Sequence, residues 1–136
     1  MSDPDLISLP LKTRGRIELL DVTDLVRGAV SRSGVLNGLC HVFSPHTTAA
    51  VTINENADPD VKGDMIMALD NMVPLDIGYK HSEGNSRAHV MASLIGSSVT
   101  VCVQEGRMTL GTWQGIYFCE FDGPRSRKIY VSVFER

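Results

Sequence analysis

Aromatic side chains are scarce in this sequence: Trp113 is the single tryptophan, and all aromatics together make up 6% of 136 residues. The core must therefore be aliphatic and methionine-rich. Cysteine is scarce as well. Cys40, Cys102 and Cys119 stand singly in apolar runs, not in CxxC pairs, which argues against a zinc ribbon or a disulfide framework and reads as reduced core thiols. Positive charge is in deficit. A net charge of -3 and a pI near 5.7 do not provide the basic field of a nucleic-acid binder, so no nucleic acid is expected as partner. No apolar run approaches the ~18 residues of a membrane span, and the N-terminus has no basic segment followed by an apolar one, so no membrane association and a cytoplasmic location are expected.

Hydrophobic residues make up 43% and charged residues 21%, the balance of a folded globular chain. Residues 1–136 are enough for one domain with a real core, and no shift in composition suggests a second. Leu6 to Leu11 and Arg16 to Leu20 read as strands of an opening hairpin turned at Gly15. Asp21 to Ser33 places Val22, Leu25, Val26 and Val30 at helical spacing, with Thr23 as N-cap and Gly34 as stop. Gly38 to Ser44 reads as a strand that Pro45 bends just before His46. Ala49, Val51 and Ile53 then alternate with Ala50, Thr52 and Asn54 as a further strand. Asp58-Pro59 starts a helix whose buried stripe is Val61, Met65, Ala68, Leu69 and Met72, ending before Pro74.

After a loop from Leu75 to Gly84, Ser86 to Ile95 reads as a third helix. Val90, Met91, Leu94 and Ile95 lie on one side, with His89, Ala92, Ser93 and Gly96 opposite. Strands follow over Ser98 to Gln104, within Arg107 to Phe121, and over Lys128 to Phe134. The sum is an α+β fold: a single domain, mostly antiparallel β-sheet with about three helices packed on it.

Chemistry is concentrated from Ser44 to Asp60, where Pro45-His46-Thr47-Thr48 enters a strand and Asn54-Glu55-Asn56 leaves it. Of four histidines, His46, His81 and His89 occupy polar loop or helix-start positions, whereas His41 alternates with Leu39 and Phe43 and reads as a sheet histidine. His81 and His89 flank Glu83-Gly84-Asn85-Ser86, a turn into a helix N-terminus, which favours an anion. Three imidazoles with an open fourth position are a zinc arrangement, although spacings of 35 and 8 residues match no short zinc motif and hydrogen-bonded structural histidines would also account for them. Glu55 is the candidate general base if burial raises its pKa, or else a strand-end carboxylate paired with a cation. Arg125 and Arg127 after Gly123-Pro124 offer planar forks to a phosphate, or the tip of a solvated hairpin. Trp113, between Gly111 and Gly115, suits a pocket wall, a subunit contact or the core.

Three long segments, PHTTAAVTINENADPDV at Pro45 to Val61, HSEGNSRAHVMASLIGSS at His81 to Ser98 and GTWQGIYFCEFDGPRSR at Gly111 to Arg127, resemble the YjbQ family, also called the secondary thiamine-phosphate synthase family. The resemblance covers essentially the whole chain. It implies a homotrimer with sites near the subunit boundaries, lined by His46, His81 and His89. It also implies an activity joining hydroxymethylpyrimidine diphosphate to a thiazole phosphate, giving thiamine monophosphate and pyrophosphate. On that reading His46, Glu55, His81 and His89 are the catalytic candidates. Thr47, Thr48, Asn56, Asn85, Arg125 and Arg127 bind a small phosphorylated substrate, and His46, His81 and His89 hold a divalent metal, zinc or magnesium, with no organic cofactor. Arg87, beside His89, departs from the expected pattern and introduces a cation there. A metal- or anion-binding trimer without turnover is the alternative.

Overall fold

The computed structural model describes residues 6–136. Eight strands and three helices follow one another as β1 (Ile7–Lys12), β2 (Glu18–Asp21), α1 (Thr23–Ser33), β3 (Gly38–Phe43), β4 (Ala49–Glu55), α2 (Pro59–Met72), α3 (Ser86–Ile95), β5 (Ser98–Gln104), β6 (Arg107–Met108), β7 (Gln114–Glu120) and β8 (Ser126–Glu135). A five-stranded sheet has the order β1-β8-β3-β5-β6 and a three-stranded sheet the order β2-β7-β4. Every pairing in both sheets is antiparallel. The opening hairpin does not form. β1 pairs with β8 and β2 with β7, because Lys12 to Ile17 carries the chain from one sheet to the other instead of folding it back.

The pleat of the small sheet creates two cores, since successive side chains of a strand face opposite sides. Val51, Ile116 and Phe118 meet Val42, Ile129 and Val131 of the large sheet, together with Val26 and Val30 of α1. From the other face, Ala50, Tyr117 and Cys119 meet Leu69 of α2 and Ala88, Met91 and Ala92 of α3. The second core packs closely because Ala50, Ala88 and Ala92 are small.

The helices follow their end signals more faithfully than their stripes. Asp58 accepts the Asp60 amide at 2.9 Å ahead of Pro59, and Gly34 ends α1 with a φ of 72°. The first turn of α1 is secured by Asp21, which accepts both the amide and the hydroxyl of Thr23, at 2.9 and 2.5 Å; Thr23 is not the cap. In α2 only Leu69 is buried, and Met72 of the expected stripe is 65% exposed. In α3 the buried face is Ala88, Met91 and Ala92, while Val90 and Leu94 face outward. Cys40 and Cys119 are buried and Cys102 is exposed.

Candidate functional site

Between the entrance of β4 and the face of α3 lies a cleft of about 470 Å³, lined by His46, Thr47 and Ala49 on one side and by His89, Ala92, Ser93, Gly96 and Ser97 on the other. Backbone bonds fix its walls: Ser44 N–H donates to the Ser97 carbonyl at 2.8 Å and Val51 N–H to the Gly96 carbonyl at 3.1 Å. Alanine and glycine keep the floor open, and hydroxyls from Thr47, Ser93 and Ser97 supply donors and acceptors around it. The volume falls in the ~300–1,000 Å³ range of small-molecule sites.

His46 sits where Pro45 has ended β3. Its ring stands edge-on to Phe118 at 6.2 Å, and its Nε2 accepts the Lys128 N–H at 3.0 Å while lying 3.1 Å from the Lys128 carbonyl oxygen. Burial and the nearby Arg127 charge hold its pKa below the ordinary 6.5, so the ring is neutral at physiological pH. Across the cleft, His89 projects from α3, one residue beyond the buried Ala88. The His81 ring meets it edge-on, at 5.3 Å between centroids. His46 and His89 thus share one hollow, with His81 against the second of them.

The remaining candidates fall into three other places. Glu55 and Asn56 lie at the far end of β4, about 20 Å of extended chain from Ala49 at ~3.3 Å per residue. There Tyr117 Oη donates to the Glu55 carbonyl and Asn56 Nδ2 to Asp21 Oδ2. A base reaching the imidazoles from Glu55 does not fit this placement. Thr48 and Arg127 belong to a buried network around Glu120, which is fully buried. Arg127, its side chain 7% exposed, donates Nε to Glu120 Oε1 at 2.8 Å and Nη2 to Glu120 Oε2 and to Thr48 Oγ1. The Thr13 hydroxyl and the Asp122 amide also donate to Glu120, at 2.7 and 3.0 Å. Burial alone would raise the Glu120 pKa, but these bonds outweigh it and hold the carboxyl below its ordinary value.

Asn85 and Arg125 gather on Asp122, each donating to its Oδ2 at 2.9 Å. Both arginines expected to grip phosphate are therefore already paired with carboxylates of the chain. Among the described residues the Asn85 Oδ1 has no partner, although it is buried, at a narrow crevice beside Arg16 and Phe121.

Arg87 does not place a cation in the cleft. Its guanidinium turns to the end of α2, donating to the Val73 and Asp70 carbonyls at 2.8 and 2.9 Å and to the Asp70 carboxylate. There it satisfies carbonyls that the helix leaves open. Trp113 is 63% exposed, neither core nor cleft wall. Glu120 and the Lys128 peptide were missed from the sequence. Glu120 was within reach, since it shares a strand face with Ile116 and Phe118, and an acid on such a face needs a partner.

Among the described residues, no three His, Cys, Asp or Glu side chains gather closely enough to hold a metal ion. The donors that do face the cleft are imidazoles, suited to zinc and unlike the oxygen shell of magnesium.

Residues 7–136 match the family described as "UPF0047 protein YjbQ-like". The chain belongs to that family. A UPF0047 protein of Methanocaldococcus jannaschii is 48% identical over 128 residues, covering 94% of this chain and 93% of that one. YugU of Bacillus subtilis, also a UPF0047 protein, is 48% identical over 129 residues, covering 94% and 98%. The YjbQ fold is equally close in solved structures. A Clostridium acetobutylicum protein of the YjbQ/UPF0047 family superposes with a TM-score of 0.92 at 54% identity, covering 94% of this chain and 99% of that one. A Sulfolobus solfataricus YbjQ-like protein of unknown function gives 0.92 at 32% identity, covering 97% of both.

Proposed function

We propose that the cleft between His46 and His89 binds a small phosphorylated molecule and that the protein is a transferase of thiamine-phosphate synthase type, working as a homotrimer. One observation carries the reading: two imidazoles 43 positions apart in the chain line one open hollow, and a third, His81, packs against one of them. The reaction breaks the C–O bond of hydroxymethylpyrimidine diphosphate, with the electron pair leaving on pyrophosphate, and forms a C–N bond to the thiazole nitrogen. Its catalytic needs are placement of the two partners and neutralisation of the leaving group.

His46, His81 and His89 are the residues that would hold a divalent ion, zinc by the chemistry of the donors, if they drew closer together than they stand in the isolated chain, and such an ion would supply charge to the departing diphosphate. Thr47, Ser93 and Ser97 orient the substrate through their hydroxyls. The small floor of Ala49, Ala92 and Gly96 leaves room for a flat ring. A homotrimer is supported by the outward-facing Val90 and Leu94, which lie beside the cleft on α3.

The commitment of Arg125 and Arg127 to Asp122 and Glu120 favours a second reading, a metal- or anion-binding module without turnover. An assay supplying both phosphorylated substrates with zinc separates the two. The transferase reading expects thiamine monophosphate and pyrophosphate in equal amounts, and a loss of about 100-fold in kcat/KM for His46→Ala or His89→Ala, the scale of a lost charge-stabilising or proton-handling group. Zinc or phosphate bound tightly with no product from the native protein supports the second. Turnover unchanged in both variants would remove the cleft from consideration.

A further inference from the structure

Gln104-Glu105-Gly106-Arg107 folds β5 back into β6 through two residues, with Gln104 opposite Arg107. Such a loop takes left-handed backbone at both central positions, and Glu105 and Gly106 supply it with φ of 53° and 79°. The Gly106 N–H donates to the Leu36 carbonyl at 2.9 Å, which pins the hairpin tip beside the end of α1. Between the two elements lies a groove of about 480 Å³, lined by Arg27, Val30 and Ser31 of α1 and by Gly106, Arg107 and Met108 of the hairpin. It shares no residue with the histidine cleft. Its floor is apolar, since Val30 is buried and Met108 packs against the main core.

Charge sets the class of ligand. Arg27 and Arg107 bring a guanidinium from each wall, and neither Asp24 nor Glu105, the acids nearest them in the chain, is among the lining residues. Arg107 forms no ion pair among the described residues. Arg27 pairs with Asp24 at 2.9 Å, but the two side chains are 60% and 95% exposed, and a surface pair of that kind contributes little and is readily exchanged. Arg125 and Arg127, by contrast, are held by Asp122 and Glu120. Planar forks from two arginines fit the oxygens of one phosphate, and the Ser31 hydroxyl adds a donor. A phosphate monoester carries about two negative charges at pH 7, enough to balance both arginines; a carboxylate would balance one.

We propose that this groove is a second ligand site, taking a phosphate monoester whose small apolar body lies on Val30 and Met108 while Arg27, Ser31 and Arg107 hold the phosphate. The site is independent of the function assigned to the histidine cleft.

The test titrates the full chain with phenyl phosphate and follows the backbone ¹⁵N–¹H shifts. Ser31, Gly106 and Arg107 are expected to move together and to saturate, and Arg107→Gln to weaken that binding about 10-fold, the order of one charge-assisted hydrogen bond, with the urea midpoint unchanged. Arg27→Gln is expected to weaken it as well, and benzoate, one charge short, to bind the same residues about 10-fold less tightly than phenyl phosphate. Shifts that leave Ser31, Gly106 and Arg107 unmoved, or that never saturate there, would overturn the proposal. So would native affinity in Arg107→Gln, or benzoate binding as tightly as phenyl phosphate. Thr47, Ser93 and Ser97 report the histidine cleft in the same spectra, so the two sites succeed or fail separately.

Discussion

Arg87 turns away from the cleft and serves as the cap of a neighbouring helix, donating to two carbonyls at the end of α2. Hydrogen bonds to a charged group contribute about 1.5–3 kcal/mol when partly buried, so Arg87→Ala should lower unfolding stability by that amount in urea titration. Titratable groups lead to a second expectation. His46 is held below 6.5, so as pH falls past that value the unfolded chain takes the proton first and stability declines. Glu120 is likewise held below its ordinary value of 4.5, and Asp21 and Asp122 below 3.8, each because hydrogen bonds outweigh burial. Their stabilisation is full above those values and is lost as pH falls through the depressed ones. Stability measured against pH should therefore decline on acidification in two stages, and His46→Gln should abolish the upper one. His46 and His89 were legible from the sequence because polar rings at loop and helix-start positions stand out. The pairing of Arg125 and Arg127 was not, because nothing in Gly123-Pro124-Arg125 reveals that Asp122 and Glu120 lie within reach.

Element boundaries were legible wherever a backbone signal marks them: Asp58-Pro59 for the start of α2, Gly34 for the end of α1, Pro45 for the end of β3. Faces were less so. The apolar spacing of α2 places Met72 on the core side, yet the small sheet offers only enough surface to bury Leu69, and the rest of the stripe is left partly or wholly exposed. The same limit turns Val90 and Leu94 of α3 outward. Asp58→Ala should cost about 1 kcal/mol, the usual value of a lost N-cap, seen as a lower urea midpoint with the slope unchanged. Gly38→Ala should cost more, about 3 kcal/mol at the top of the overpacking range. A Cβ there would lie 1.7 Å from the Phe134 carbonyl oxygen across the β3–β8 ladder, and a backbone atom cannot swing aside. Thermal unfolding of the two variants side by side checks the order.

For the whole molecule, the α+β class and the block of late antiparallel strands were readable from alternation, whereas the division into two sheets was not. Alternation tells which residues share a face but not which strand lies alongside, and so Leu6 to Leu20 suggested a hairpin where the chain crosses between sheets. The same scale governs assembly. Met72, Leu75, Ile77, Val90 and Leu94 are all exposed in the isolated chain. Sedimentation should give three chains per particle, and Leu94→Glu should shift the particle toward single chains if α3 carries the contact.

One feature of the larger sheet bears on how the protein is made. β8 lies between β1 and β3, so the strand of this sheet that is made after the other four is the one that joins two of them. Until Ser126 to Glu135 has emerged, β1 has no neighbour and β3 keeps one flank bare. Folding of this half is therefore completed late, after synthesis has delivered the strand that joins β1 to β3.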